Sequence, residues 1–313
     1  MLIAKADSDK SEPPRNEGQR KVKNVAAPMV RYSRLPFRQV VKRRNTDIVH
    51  TPMIIASSFV QSDKCRNVEL TTNSDDHPLI VQFAANNAHD LASAAAIVAP
   101  HVTGIDLNCG CPQRWAIAEG YGSHLINHPE LVSDMARQTR SRIDQHELSI
   151  SIKIRIHSNL SRTIDLCKKA EAAGVTHLTV HGRTPKQRTE PVDYDAIRDI
   201  KLSLSIPVYA NGDINSRAQA ENVAERTGAD GVMSARGILH NPALFAIDSE
   251  VVDLDCVRDW IDTALGLGLC FGLFHQQLVF MLDAHFNKAQ RRVFNRLQGV
   301  AAVLDFMETN WGV

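Results

Sequence analysis

Gly104-Ile105-Asp106-Leu107-Asn108-Cys109-Gly110-Cys111-Pro112 reads as a short apolar strand that runs into a Gly-Cys-Pro turn, so a thiol is held where the strand ends. The same strand-end signature recurs further along the chain. Lys153-Ile154-Arg155, Val180-His181-Gly182-Arg183-Thr184, Ala210-Asn211-Gly212-Asp213 and Ser234-Ala235-Arg236-Gly237 each close a β-branched run with polar or small residues. Strands are expected near 22–28, 48–53, 79–84, 104–108, 150–156, 177–181, 207–211 and 231–235. Between most of them lie segments with apolar residues at helical spacing. Ile164, Leu166, Cys167, Ala170 and Ala173 form one such set, stopped by Gly174; Ala220, Val223 and Ala224 form another, stopped by Gly228. Strand and helix alternating eight times over about 225 residues predict an α/β fold, the (β/α)8 TIM barrel, whose usual size is about 250 residues. In that architecture the chemistry sits at the C-terminal ends of the strands, where every one of these signatures falls.

With 313 residues, 43% of them apolar and 23% charged, the chain can bury a large core and still carry an appendage. Six irregularly spaced cysteines form no small-domain disulfide framework, and no basic-then-apolar leader opens the sequence. Both features predict an intracellular protein, cytoplasmic or nuclear. The longest uncharged stretch, 263–281, is broken by Gly266, Gly268, Gly272, His275, Gln276 and Gln277, so a buried helix is expected there and not a membrane span. A net charge of +1 means that any nucleic-acid binding must come from a local basic surface.

Residues 1–21 are mostly polar, with two prolines, which predicts a disordered tail. The barrel is expected over 22–245. From 250 to 313 the pattern is helical throughout, with helices expected at 257–267, 274–286 and 291–307, which predicts a small all-helical C-terminal domain. Lys288, Arg291, Arg292 and Arg296 place four cations within nine residues there. On charge alone this is either a solvated helix face or a surface for a polyanion.

The loops after the last two strands of such barrels often cradle a phosphate with backbone amides, and small residues let the backbone approach closely. Asn211-Gly212-Asp213 and Ala235-Arg236-Gly237 have this character, and Arg236 adds a charge-assisted contact. The remaining polar set points to a flavin. Lys153 can face the N1 and C2 carbonyl region, where a reduced flavin gathers negative charge. Gln82, inside the apolar run Val81-Gln82-Phe83, is placed to bond the pyrimidine edge of the ring; a polar group in such a strand demands a partner. His181 ends the sixth strand beside the same position. Pro28 and Met29 end the first, where Met29 either lies against the ring or packs in the core. Cys109 alternates to the opposite side of its strand from Cys111 and is expected to pack. A Cys-x-Cys metal pair lacks a second pair of ligands at suitable spacing, so no metal is expected.

In this order and spacing, Ala-Pro-Met, Val-Gln-Phe, Asn-x-Gly-Cys-Pro, Lys-x-Arg, His-Gly-Arg-Thr, Asn-Gly-Asp and Ala-Arg-Gly resemble the tRNA-dihydrouridine synthases over residues 22–245. The run from Cys109 to Ala116, with Glu119-Gly120-Tyr121-Gly122, is most similar to the eukaryotic branch that acts at tRNA positions 20a and 20b. The resemblance implies FMN as cofactor, NADPH or NADH as reductant and the tRNA D-loop as substrate, with no obligate protein partner. It also implies hydride transfer to C6 of a uracil while an acid, expected to be Cys111, protonates C5. A general acid must carry its proton when the reaction begins. Asn108 is expected to bond the uracil edge or the flavin, and Arg155 the uracil carbonyl or a nearby phosphate. The uridine must leave its stack to lie on the flavin, so the RNA around it must be gripped. A groove between barrel and helical domain, lined by Lys288, Arg291, Arg292 and Arg296, is the expected place. Ala235 stands where many relatives carry glycine, which slightly crowds the phosphate site.

Other readings share part of this pattern. An FMN-dependent barrel oxidoreductase acting on a small molecule would use the phosphate loops and Lys153 but would not need the basic helical tail. An RNA-binding protein without catalysis would leave Cys111, Lys153, His181 and Arg236 without a role. A phosphosugar-binding barrel leaves Asn108 and Cys111 unexplained.

Overall fold

A computed structural model describes residues 22–143 and 148–313, so the expected tail at 1–21 lies outside the described residues. Nine parallel strands appear in chain order: β1 (Lys23–Ala26), β2 (Val49–His50), β3 (Ile54–Ile55), β4 (Leu79–Ala84), β5 (Gly104–Cys109), β6 (Ser149–Arg155), β7 (His177–His181), β8 (Val208–Asn211) and β9 (Gly231–Ser234). They pair in the order β1-β9-β8-β7-β6-β5-β4-β2, and a parallel bridge from Val25 to Ile48 brings the two ends of the path together. The result is the expected TIM barrel. β4 and β5 are buried along their whole length, as strands covered on both faces must be.

Eight strands were expected, and the second arrives in two pieces. β2 and β3 both pair with β4 but are separated at Thr51-Pro52. Pro52 has no N–H to give to the ladder. Across the gap, the N–H of Gln82 donates instead to the Thr51 hydroxyl at 3.1 Å.

The helix Leu160–Ala172 buries Leu166, Cys167 and Ala170 against the barrel, as its spacing predicted, and Arg217–Thr227 buries Ala220, Val223 and Ala224. Asn87, Asp193 and Ser216 cap three of the outer helices by accepting from backbone amides of the first turn.

The C-terminal region has four helices where three were expected: Leu254–Gly266, Phe271–Met281, Lys288–Phe294 and Val300–Trp311. The segment expected as one helix over 291–307 breaks after Phe294, and the turn ends on Gly299 at φ +96°, a conformation that interrupts any helix. These helices share the barrel's apolar core. Phe274, Leu278, Met281 and Phe294 are buried in the same cluster as the strand residues. Gln277 donates to the Leu239 carbonyl at 2.8 Å, and Asp259 accepts from Arg43 at 2.6 Å and also from Arg44. No helix of the described residues is long and apolar enough to cross a membrane.

Candidate active site

The parallel register sets the site. Asn108 pairs with Lys153, Cys109 with Ile154, Arg155 with His181 and His181 with Asn211, so the polar ends of β5 to β8 stand side by side at one mouth of the barrel. A cavity of about 210 Å³ opens there. Its lining includes Pro28, Lys153, Arg155, His181, Gly212 and Arg236. A larger hollow of about 1010 Å³ lies beside the N-terminal end of β1, among Asn24, Lys42, Arg217 and Glu221, and contains none of these groups.

Cys111 is half-buried on the turn after β5. Its turn is pinned from two sides. The Asn108 Oδ1 accepts from the N–H of Gly110 at 3.1 Å and of Cys111 at 2.9 Å, and the Ser123 N–H donates to the Cys111 carbonyl at 2.9 Å. Gly122, at φ +62°, makes this approach possible: a Cβ there would lie 2.6 Å from the Cys111 carbonyl oxygen. Cys109 is fully buried in the core, as expected, and burial pushes its thiol well above the usual range.

The Lys153 ammonium makes no hydrogen bond or ion pair among the described residues, while its backbone belongs to the β6 ladder. Burial, aided by Arg155, pushes it down to about 8, while Asp106 and Cys111 pull the other way. His181 is held neutral: burial first, then Lys153, Arg155, Arg183 and Arg236, push it down to about 2. Four cations around one histidine, with the Asp213 carboxylate among them, leave the cavity lining net positive in a chain whose net charge is only +1.

The phosphate side differs in one respect from the sequence reading. Asp213, expected to touch the cofactor, turns its carboxylate to Arg183 and Arg236, with both Arg183 Nη1 and Arg236 Nη2 at 2.9 Å from Oδ1. The Arg183 hydrogen bonds hold its carboxyl below the usual range despite partial burial. A carboxylate would repel a phosphate, so its part is to neutralise buried Arg183 and to orient Arg236, whose side chain is 67% exposed. Asn211 donates to the Met233 carbonyl at 2.7 Å, and the Gly212 carbonyl accepts from Tyr194 at 2.8 Å. Ala235 precedes the short helix Arg236–His240, whose first amides have no carbonyl of their own helix to bond.

Gln82, Asn108 and Met29 sit deeper than expected. Gln82, 1% exposed, donates to Asp106 and accepts from Asn108, both at 2.8 Å, which leaves one amide N–H for any other partner. Asn108 is likewise occupied except for one N–H. Met29 is buried in the core, while Ala27 and Pro28 line the cavity. Arg155 spends Nη1 on the carbonyls of Thr184 and Gln187.

The cations expected to face RNA are on the helix Lys288–Phe294 and just beyond it. Lys288, Arg292 and Arg296 line a shallow concavity with Ala289 and Val293; no barrel residue lines it, so it is not the expected groove between barrel and helices. Arg291 is set apart, because it pairs with Asp283 at 2.8 Å and also donates to that residue's carbonyl.

Three residues went without a role in the sequence reading. Arg183 was visible in His-Gly-Arg-Thr, but its burial was not. Asp106 is a fully buried partner of Gln82 and Ser151 a fully buried partner of Asp106, and an acid inside an apolar strand is the same signal that marked Gln82 and Lys153. The FMN implied by the motif set fits these residues: the Lys153 ammonium lines a cavity rich in cations, beside the small residues Gly212, Ala235 and Gly237.

The family model for dihydrouridine synthase matches residues 25–307. A mouse protein named tRNA-dihydrouridine(20a/20b) synthase [NAD(P)+]-like is 56% identical over 288 residues, which is 92% of this chain and 89% of its own. Its human counterpart by name is 55% identical over 289 residues, 92% of this chain and 91% of its own. Among solved structures, an old yellow enzyme homologue from Zymomonas mobilis aligns with 76% of this chain and 92% of its own at TM-score 0.54; at 12% identity it supports the barrel fold alone. The family match and these identities extend over both the barrel and the C-terminal helices: the chain belongs to the dihydrouridine synthase family.

Proposed function

We propose that this protein is a tRNA-dihydrouridine synthase that uses FMN and NAD(P)H to saturate the C5–C6 bond of D-loop uridines at positions 20a and 20b. The observation that carries the reading is the juxtaposition of the Cys111 turn and Lys153 on adjacent strand ends above a four-cation cavity. The names of relatives more than half identical over nine-tenths of the chain agree with it.

When bound, FMN would supply hydride-transfer chemistry to the uracil. Lys153, Pro28, Gln82 and neutral His181 would hold the flavin ring, with Lys153 the group suited to balance negative charge on it. Arg236, with Asn211, Gly212 and Ala235 beside it, holds the phosphate. Cys111 gives its proton to C5, which completes the two-hydrogen addition, and then recovers a proton from solvent. The spare N–H of Asn108 and the free side of the Arg155 guanidinium hold the uracil. Residues 22–245 act as the catalytic unit, and 250–313 grip the tRNA through Lys288, Arg292 and Arg296. The substrate places the enzyme inside the cell.

A site-resolved map of dihydrouridine in tRNA from cells lacking the protein tests the reading. Loss confined to positions 20a and 20b, reversed by the wild-type chain, is expected. Loss at another D-loop position would keep the chemistry and reject the site, and no loss in a strain without other such enzymes would reject both.

A further inference from the structure

Four buried side chains form one directional chain that ends on the backbone of the Cys111 turn. Ser151 donates to Asp106 Oδ1 at 2.7 Å, and Gln82 Nε2 donates to Asp106 Oδ2 at 2.8 Å. Asn108 Nδ2 donates to Gln82 Oε1 at 2.8 Å, and Asn108 Oδ1 accepts the N–H groups of Gly110 and Cys111. Ser151, Asp106 and Gln82 are at most 1% exposed and Asn108 is 9% exposed, so water cannot easily replace any link.

The polarity of this chain is fixed at both ends, by the Asp106 carboxylate, which accepts, and by the N–H groups of Gly110 and Cys111, which donate. An ionised carboxylate only accepts, whereas the amides of Gln82 and Asn108 can each face either way. With an acceptor at Asp106, Gln82 must turn its nitrogen there and its oxygen to Asn108. Asn108 must then turn its own oxygen to the turn. We propose that Asp106, Gln82 and Asn108 are positioning residues, and that the acceptor end at Asp106 orients both amides so that the Cys111 turn is held in its working conformation. The proposal rests on the reading of Cys111 as proton donor. Burial lifts the Asp106 carboxyl to about 6, with Gln82, Ser151 and Lys153 drawing it back, so it is mainly ionised at neutral pH.

Reversing the polarity tests this. Asn108→Asp alone sets two acceptors against Gln82, and one of them must go unmatched. Asp106→Asn combined with Asn108→Asp lets the two links through Gln82 re-form in the opposite sense, while Gly110, Cys111 and Ser151 donate as before. Two readouts are compared in the full-length holoenzyme: dihydrouridine formation, and the alkylation rate of Cys111 by iodoacetamide, followed on its own peptide because Cys65 and Cys270 are also accessible. Asn108→Asp is expected to slow product formation about 100-fold and to change the alkylation rate. The double variant is expected to return the alkylation rate to within about fivefold of wild type and to raise product formation at least about tenfold over the single variant, the remaining loss being the uracil contact of the Asn108 N–H. Effects that simply multiply would overturn the relay, as would a silent Asn108→Asp. Should the single variant fail to fold, a double variant that folds supports the relay, and failure of both overturns it. Alkylation does not depend on turnover. Coupling seen there in an enzyme whose activity survives Cys111→Ala would retain the relay and reject the proton-donor reading.

Discussion

Asp106 and Lys153 stand on the neighbouring strands β5 and β6, and Cys111 on the turn that follows the first of them. Lys153 and Asp106 pull each other toward the charged form, while burial pushes both toward neutrality. Cys111→Ala removes only the Sγ and its proton. Dihydrouridine formation is expected to fall at least about 100-fold, the lower end of what a positioned general acid contributes, with FMN content retained; single-turnover product analysis and the flavin absorbance of the purified variant check the two parts. Residue types at the strand ends were readable because a Lys, a Gln or a His inside an apolar run has few reasons to be there. Their partners were not. Nothing local to Asp213 says that its carboxylate meets Arg183 thirty residues earlier, and nothing local to Gln82 says that both ends of its amide are taken up within the protein.

At the scale of elements, the loops after β8 and β9 close on each other with little room to spare. A Cβ on Gly237 would lie 2.2 Å from the Ile214 carbonyl oxygen and 2.7 Å from the Asn215 Cα, both backbone atoms that cannot step aside without moving the loop. Gly237→Ala is therefore expected to lower stability by about 1–3 kcal/mol, the usual cost of overpacking. It should also reduce FMN content by shifting the phosphate loop. Denaturant melts and the flavin-to-protein ratio check both effects. The alternation of strand and helix was legible because a parallel barrel repeats one unit, and each repeat signals itself by period. The break of the second strand at Pro52 and of the last helical segment before Gly299 were visible as residues but not as breaks. A strand can end or resume at a proline, and the pairing of β3 with β4 shows that this one resumes.

For the whole molecule, two expectations follow from charge. Lys288, Arg292 and Arg296 changed together to alanine should weaken tRNA binding at least about tenfold and flatten its salt dependence, since binding then neutralises fewer phosphates and releases fewer counterions. Arg291→Ala should do far less, because Asp283 already neutralises that cation. Filter binding over a salt series distinguishes the two variants. The second concerns pH. Burial pushes His50 down to about 3, His177 to about 4 and His181 to about 2. The unfolded chain takes up these protons near the ordinary value of about 6.5 and the folded one does not. The stability these groups contribute is therefore complete above that pH and declines as pH falls toward 4, by up to about 1.4 kcal/mol per pH unit for each histidine. Asp106 acts in the opposite sense: with its carboxyl raised to about 6, the folded state takes the proton first, so this one group gains stability as pH falls from 6 toward its ordinary value. Three histidines outweigh one aspartate, and the melting temperature of the FMN-free protein should drop between about pH 6.5 and 4.5. A flat profile over that range would mean that the histidines are not held neutral.

Sequence alone determined the barrel, the ends of its strands as the seat of chemistry, and the thiol, ammonium, imidazole and guanidinium that gather there. These follow from period and from the cost of polar groups in apolar strands, which are local properties. Tertiary structure alone decided which polar groups spend themselves on one another and which remain free for a ligand. It turned Asp213 to the arginines, withdrew Arg291 onto Asp283, tied Gln82 and Asn108 into a relay and left the Lys153 ammonium without a hydrogen-bonding partner among the described residues. Hydrogen-bond and ion-pair partners are set by distance in space, and the parallel register that brings residues 82, 106 and 151 abreast is a property of the closed sheet, not of any one segment.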